Sequence, residues 1–396
     1  MVRSLKINMN RNIRLFGIFK VFTKRAFLPL TTIYASQVGG LTVAELGVVA
    51  ASASIVGLIF ETVTGYWADK NGRRHSARIG AALALIGTLF YVFFASFPGI
   101  LIATVVLTIG YSFLSGSMEA LMHDSLVVLK REGDYAKVAS RAQSLALIIN
   151  AGIVALVPLL YPIDKRLPFI VGAVAYGILY YLATLVTEPP RLSIRARQQT
   201  LQYALRSVIT RHTVFFFVVA GLAIAIAVAP VDFYNLSYIT LGLKPEHMGI
   251  IYACASVLGA FIGVFIHVLK RLTFRQYATF DLVMNALVMI SIGWLQSLEF
   301  TIAAFVLNMA LWRYQSILYQ HYILRVHQTT KYKATLLSVL NNVRMIHETW
   351  LVLVFAFLAH QLGLLEGIKQ GVWIILLVWP LLMFAIGTFE RQTTNR

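Results

Sequence analysis

Long apolar runs, each closed by charged, proline or glycine residues, recur along this chain. They fall near residues 15 to 36, 44 to 66, 78 to 96, 99 to 121, 142 to 161 and 168 to 187, and again near 213 to 238, 247 to 269, 274 to 295, 299 to 321, 334 to 359 and 370 to 389. A helix needs about 20 apolar residues to cross a bilayer, so each run is of spanning length. In hydrocarbon the backbone has no water to bond, and a helix satisfies its own donors and acceptors. The pattern therefore predicts an all-α membrane protein with twelve transmembrane helices. They form two six-helix halves, 1–187 and 213–396, with no separate soluble domain. Between them, 188–212 is polar and basic. It opens with Pro189 and Pro190 and then sets Leu201, Leu205 and Val208 at helical spacing among Arg195, Arg197, Arg206 and Arg211. That spacing suits an amphipathic helix lying on the inner leaflet as a tether. Six spans, a basic segment and six spans form the hydropathy symmetry of repeat-built transporters.

Composition agrees with the pattern: 59% of residues are hydrophobic and only 13% charged, against roughly 25% charged in soluble domains. The formal net charge of +18 would suggest nucleic acid in a soluble protein. Here the basic residues sit in short segments between apolar runs, so the charge reads as topology and no nucleic-acid partner is expected. With the N-terminus inside, the inner segments carry Arg3, Lys6, Arg11, Arg14, Lys70, Arg73, Arg74, Lys130, Arg131, Lys270, Arg271, Lys331 and Lys333 among others. The outer loops hold Lys165, Arg166, Lys244 and Lys369. Positive loops stay cytoplasmic, which places both termini inside and the chain in the plasma (inner) membrane as a multi-pass protein. The first apolar run has no cleavage site and reads as the first span. Cys254 is the single cysteine, inside an apolar run, and is expected to pack there. There is no phosphate-binding loop, no metal-ligand spacing and no nucleophile constellation, so neither an enzyme nor a cofactor is expected.

Between the second and third runs stands GYWADKNGRR, Gly65 to Arg74. Gly65 allows close helix contact, Gly72 permits a tight turn, and Asp69 can cap a helix N-terminus. Arg73 and Arg74 hold the loop at the anionic leaflet. The segment resembles the signature loop of the major facilitator superfamily, matching it at Gly65, Asp69, Lys70, Gly72, Arg73 and Arg74. The resemblance implies the major facilitator fold, a secondary transporter working as a monomer, and a latch between this loop and the inner ends of spans four and eleven. In that latch Asp69 would face the start of span eleven near Ala334, and Lys70 would face Asp124. Upstream, ETVTG resembles a bacterial branch of the superfamily through Glu61, Thr64 and Gly65, with Val63 where proline is usual. SGSMEALMHDSL and KATLLSV are similar to the same branch. Span five departs from drug exporters, because NAGIVALVPLL supplies only Gly152 and Pro158 of their glycine-rich signature; drug and proton antiport is not implied.

Ionisable side chains inside a bilayer are candidates for function. They include Lys20, Lys24 and Arg25 in span one, Glu61 in span two, Asp232 in span seven and Asp281 in span nine. Arg313 lies in span ten, and Arg344, His347 and Glu348 lie in span eleven. Arg25 is eleven residues beyond Arg14, about 16 Å at 1.5 Å per residue, hence near the midplane. Lys20 and Glu61 are expected to pair. Arg344 and Glu348 are four apart and can neutralise one another. The candidate substrate or proton pathway comprises Arg25, Glu61, Asp232, Arg313, Arg344, His347 and Glu348, with Glu61, Asp232 and Glu348 as proton carriers. Tyr34, Tyr111, Phe233, Tyr234, Trp312 and Tyr314 fall in spans one, four, seven and ten, which line the central cavity in the resembled family. The expected activity is alternating-access transport of a small organic solute, proton-coupled, in a lipid membrane. A drug-like exporter, an organic-anion carrier and a uniporter remain open at this point, as does a non-transporting receptor or scaffold.

Overall fold

The computed structural model describes residues 2–115, 117–190, 211–264, 266–269, 271–326 and 333–394. Among them are sixteen helices. The first eight are α1 (Val2–Phe22), α2 (Thr31–Gln37), α3 (Val43–Asn71), α4 (Arg73–Phe93), α5 (Phe97–Leu114), α6 (Ser117–Val128), α7 (Tyr135–Leu156) and α8 (Leu167–Leu185). The others are α9 (Arg211–Val228), α10 (Val231–Thr240), α11 (Met248–Val264), α12 (Ile266–Leu269), α13 (Phe274–Ile290), α14 (Leu298–Val326), α15 (Lys333–Leu362) and α16 (Leu364–Thr394). The apolar runs account for the helices, and local residues account for their ends. Gly72, at φ +108°, turns the chain between α3 and α4 in a conformation that disfavours a side chain. Thr273 opens α13 with a capping box: its hydroxyl accepts from Gln276 N–H, and the Gln276 side chain accepts from Thr273 N–H. The tether expected over 188–212 lies outside the described residues from 191 to 210.

Ten helical stretches among the described residues are long and apolar enough to cross a membrane. The first expected span and the tenth are not in that set, for visible reasons. The first carries Lys20, Lys24 and Arg25 and is interrupted. The tenth, α14, carries Asn308, Arg313 and Gln315.

The first expected span is not one helix, and this corrects the reading of residues 15 to 36 as a continuous run. α1 begins at Val2 and stops at Phe22; the chain resumes as a short 3-10 turn at Leu28–Leu30 and then α2. Side chains from other helices satisfy carbonyls near the break. Tyr111 O–H donates to Thr23 O (2.9 Å) and Asn150 Nδ2 donates to Val21 O (3.2 Å). The seventh expected span is also divided, between α9 and α10, where Pro230 lacks the N–H that a continuing helix needs.

The chain divides into two compact units. The first comprises Met1–Leu41, Ile55–Ile194 and Pro245–Ala253; the second comprises Thr42–Ser54, Arg195–Lys244 and Cys254–Arg396. In the first unit α4 packs on α5 and α8, and α1 on α6 and α7. In the second, α9 packs on α15 and α16, and α13 on α14 and α16. Cys254 is exposed rather than packed. It shares a helical stripe with Ile250, Val257 and Phe261, all exposed apolar side chains, which is the face a spanning helix turns to lipid.

Candidate functional site

Where span one breaks, the chain presents Arg25 outside any helix. Its guanidinium lies over the Tyr111 ring, 4.1 Å from Cζ to the ring centre. Tyr111 O–H in turn meets Tyr176 O–H at 2.5 Å. Thr23, Lys24, Arg25, Tyr111, Ser115 and Glu119 line an open cleft of about 410 Å³, within the range of small-molecule sites. The cleft's carboxylate, Glu119, is paired with Lys20. Lys20 therefore meets Glu119 and not Glu61, as the sequence had suggested. Glu119 lies 99 residues along the chain from Lys20, so the local pattern gives no way to choose between the two acids. Among the described residues no carboxylate pairs with Arg25, whose charge rests on an aromatic face.

In the second unit Arg344 and Glu348 form the expected pair along α15, Nη1 to Oε2 at 2.5 Å. Glu348 also accepts from Ser54 Oγ at 3.3 Å. His347 accepts at Nδ1 from Trp350 Nε1–H (2.9 Å). Arg313 donates to Ser256 Oγ at 2.6 Å, while its Nε is buried without a partner. Asp232 is the second residue of α10, directly after the Pro230 break. Tyr34, Phe233 and Tyr234 are buried, whereas Trp312 is exposed and Tyr314 donates to Gly259 O at 2.6 Å. Of the aromatic subset, Tyr111 alone lines the cleft.

The loop after α3 is held differently from the expected latch. Arg73, where Lys70 was expected, takes Asp124. The reason is positional: Arg73 is the first residue of α4, on the side of α6. The Oε1 and Oε2 of Glu188 accept from Arg73 N–H (2.9 Å) and Arg74 N–H (2.7 Å), a carboxylate at a helix N-terminus where free donors and the helix dipole favour negative charge. Arg74 Nη2 donates to Thr184 O at 2.7 Å. Glu188 was not singled out from the sequence; an acid just before Pro189 and Pro190, after span six, was the available signal. The side chain of Asp69 and the contacts of Ala334 lie outside the described residues. Gly65 does not make the expected close contact: among the described residues nothing lies within 4 Å of where its Cβ would stand, because that face of α3, with Val63 and Tyr66, is exposed. Glu61 is exposed as well.

The sequence profile of the Major Facilitator Superfamily matches residues 15–346. An uncharacterized MFS-type transporter of Bacillus subtilis (strain 168), YxaM, is 24% identical over 241 residues, covering 58% of this chain and 57% of that protein. The chain thus spans little more than half the length of that curated relative. The fold is similar to three solved transporters. Nucleoside transporter NupG is 14% identical, with a TM-score of 0.70 over 98% of this chain and 99% of that one. The POT family transporter PepTSo is 13% identical, at 0.72 over 97% and 98%. A D-xylose-proton symporter is 16% identical, at 0.64 over 96% and 97%. Identities this low carry the fold alone. With the family profile running through most of the chain and helices of spanning length beneath it, this protein belongs to the Major Facilitator Superfamily and is an integral, multi-pass membrane protein.

Proposed function

We propose that this protein is a twelve-span secondary transporter that carries a small organic anion by alternating access, coupled to protons. Its halves are 1–187 and 213–396, and it works as a monomer in the inner membrane with both termini cytoplasmic. The observation that carries the substrate reading is Arg25, set in a helix break and facing an open cleft, with no carboxylate paired to it among the described residues. Breaks in spanning helices are where transporters of this kind form their sites. A guanidinium held by a ring face keeps its donor fork for a carboxylate or phosphate, which it grips with two parallel hydrogen bonds. The Tyr111 ring lines the cleft together with the apolar Leu28 and Leu114. A cationic drug is the less favoured cargo, because Glu119 is already neutralised by Lys20.

An anion entering a cell works against the membrane potential, about 2.3 kcal/mol per charge per 100 mV. One proton carried with it removes that penalty. The Arg73–Asp124 and Glu188 contacts tie the start of α4 to α6 and to the end of α8, giving the loop a role in holding one conformation.

The test is uptake by the reconstituted protein of labelled aromatic carboxylates, organic cations and sugars. Carboxylates are the expected cargo. Arg25→Ala should slow their uptake about 10- to 100-fold, the range for losing a hydrogen bond to a charged group, with Arg25→Lys falling between. Uptake of cations, or uptake indifferent to Arg25→Ala, overturns the reading.

A further inference from the structure

The second unit contains a buried polar seam that neither the loop motif nor the cleft uses. α13 and α14 run antiparallel along it, and their facing positions are polar at helical spacing: Tyr277, Asp281 and Asn285 on one, Asn308, Gln315 and Tyr319 on the other. Asp281 is 7% exposed. Its Oδ2 accepts from Gln315 Nε2 (2.7 Å) and from Tyr319 O–H (3.1 Å). Asn285 Nδ2 donates to Asp281 O (2.8 Å), and Asn308 Nδ2 donates to Asn285 Oδ1 (3.1 Å). Farther along, Thr301 Oγ1 donates to Ser291 O (3.2 Å). Polar contacts thus run from Asp281 toward the Ser291 end of the pair. Toward the other end stand rings: Tyr277 against Tyr319 with centres 5.5 Å apart, and Phe274 stacked on Tyr322 at 4.9 Å.

Among the described residues the Asp281 carboxyl has no basic partner. The titratable groups facing Asp281 are Tyr277 on its own helix and Tyr319 on α14, with Tyr322 beyond them. Among the described residues, α9 and α16, which also pack on α13, bring no Lys, Arg or His into contact with it. A carboxylate withdrawn from water needs a positive charge from somewhere. Packing does not require this arrangement. In the two-half reading α4 and α5 are the counterparts of α13 and α14, and they meet through Gly80, Ala84 and Gly87 against Ala103, Leu107 and Gly110. No amide or carboxylate stands between them there.

We propose that Asp281 is the site that takes the coupling proton. The step is protonation alone: an O–H bond of hydronium breaks as one forms on the Asp281 carboxylate, leaving water, no oxidation state changes, and the reverse transfer to water at the other face regenerates hydronium and the carboxylate. In the positive-inside orientation the polar seam leads from the outer end of the pair and the rings close the inner end. Two donors already point at Oδ2, which leaves Oδ1 for the proton. The buried Gln315 Oε1 has no donor, so an acceptor stands ready beside the carboxyl. A site lined by donors suits a proton better than a metal cation, which requires a shell of oxygen acceptors. The role in coupling rests on the transporter reading above, whereas the binding of the proton does not.

The experiment is infrared difference spectroscopy of the full chain in liposomes, stepping pH without any solute, on protein carrying ¹³C-labelled aspartate. The expected result is a titrating carboxyl C=O band that shifts with the label, vanishes in Asp281→Asn and survives in Glu348→Gln. In Asp281→Glu the band should return but no longer respond to the label, which guards against a variant that misfolds. Three results overturn the proposal: no titrating aspartate band in the wild type, a labelled band that persists in Asp281→Asn, or a midpoint that moves with sodium at constant ionic strength, which makes this a sodium site. A failed transport assay would leave a positive band intact, and a missing band would leave the Arg25 reading intact.

Discussion

Between α4 and α5, glycines let two backbones approach until an added Cβ on Gly110 would stand 2.8 Å from Ala84 N, and one on Gly80 would stand 2.7 Å from Gly110 O. Between α13 and α14, their counterparts in the proposed two-half arrangement, the gap is filled by Asp281, Asn285, Asn308 and Gln315. Small-residue contact and interhelical hydrogen bonds are both ways to join helices in lipid, where apolar burial offers no preference for protein over acyl chain. The first is dry and uncharged. The second places a carboxylate where, among the described residues, no Lys, Arg or His meets it. If the two pairs are repeat counterparts, as proposed, one that can be held by glycine shows no structural need of a carboxylate in the other, and the difference points to use rather than to packing. The charges left over are complementary: a cation at an open break in the first unit, and an anion in a sealed seam in the second. An open cation suits a solute, and a sealed anion suits a proton.

That contrast can be broken at several points. Replacing Asp281 with Asn should have the largest effect. At one proton per solute, a one-unit pH difference supports about tenfold accumulation, since one pH unit is worth about 1.36 kcal/mol. The variant should reach no accumulation while still exchanging labelled for unlabelled solute, measured as counterflow. A variant that accumulates normally removes the functional side of the comparison. Gly110→Val should strike the other side, because the added carbons meet backbone that cannot move cheaply. A loss of about 1–3 kcal/mol is the usual penalty for overpacking, read as a lower unfolding midpoint in detergent. Glu188→Ala strips the acceptors from the first turn of α4 and should cost about 1 kcal/mol, as loss of a helix cap does, by the same measurement. Asn308→Ala should be mildest: polar pairs between spanning helices average about 0.6 kcal/mol. If it destabilised as much as Gly110→Val, the seam would be structural and the comparison would lose its point.

Much of this was legible in the sequence, and what was not has physical causes. Apolar runs located the helices, since membrane burial leaves few alternatives. The i to i+4 spacing located Arg344–Glu348, because helix geometry fixes that distance without tertiary knowledge. The loop residues Gly72, Arg73, Arg74 and Asp124 were identified, but their pairing was not. Choosing Arg73 over Lys70, or Glu119 over Glu61, depends on how distant helices are rotated, which local pattern does not encode. The break at Thr23–Phe27 has no proline of its own, and Pro29 comes after it; the three cations in one apolar run were the hint. The seam had a clearer sign that was not used. Asn308, Gln315 and Tyr322 recur every seven residues in span ten, and Tyr277, Asp281 and Asn285 every four in span nine. Each set marks one helix face, and two polar faces in neighbouring spans have reason to meet.

The most direct test of the account follows internal pH in liposomes holding the purified protein, with the membrane potential clamped, as aromatic carboxylates are added outside. The account expects anion-dependent acidification of the interior that is insensitive to the potential, falls at least tenfold in Arg25→Ala, and is absent in Asp281→Asn. Acidification that survives both substitutions, or proton flux driven by cations in place of anions, would contradict it.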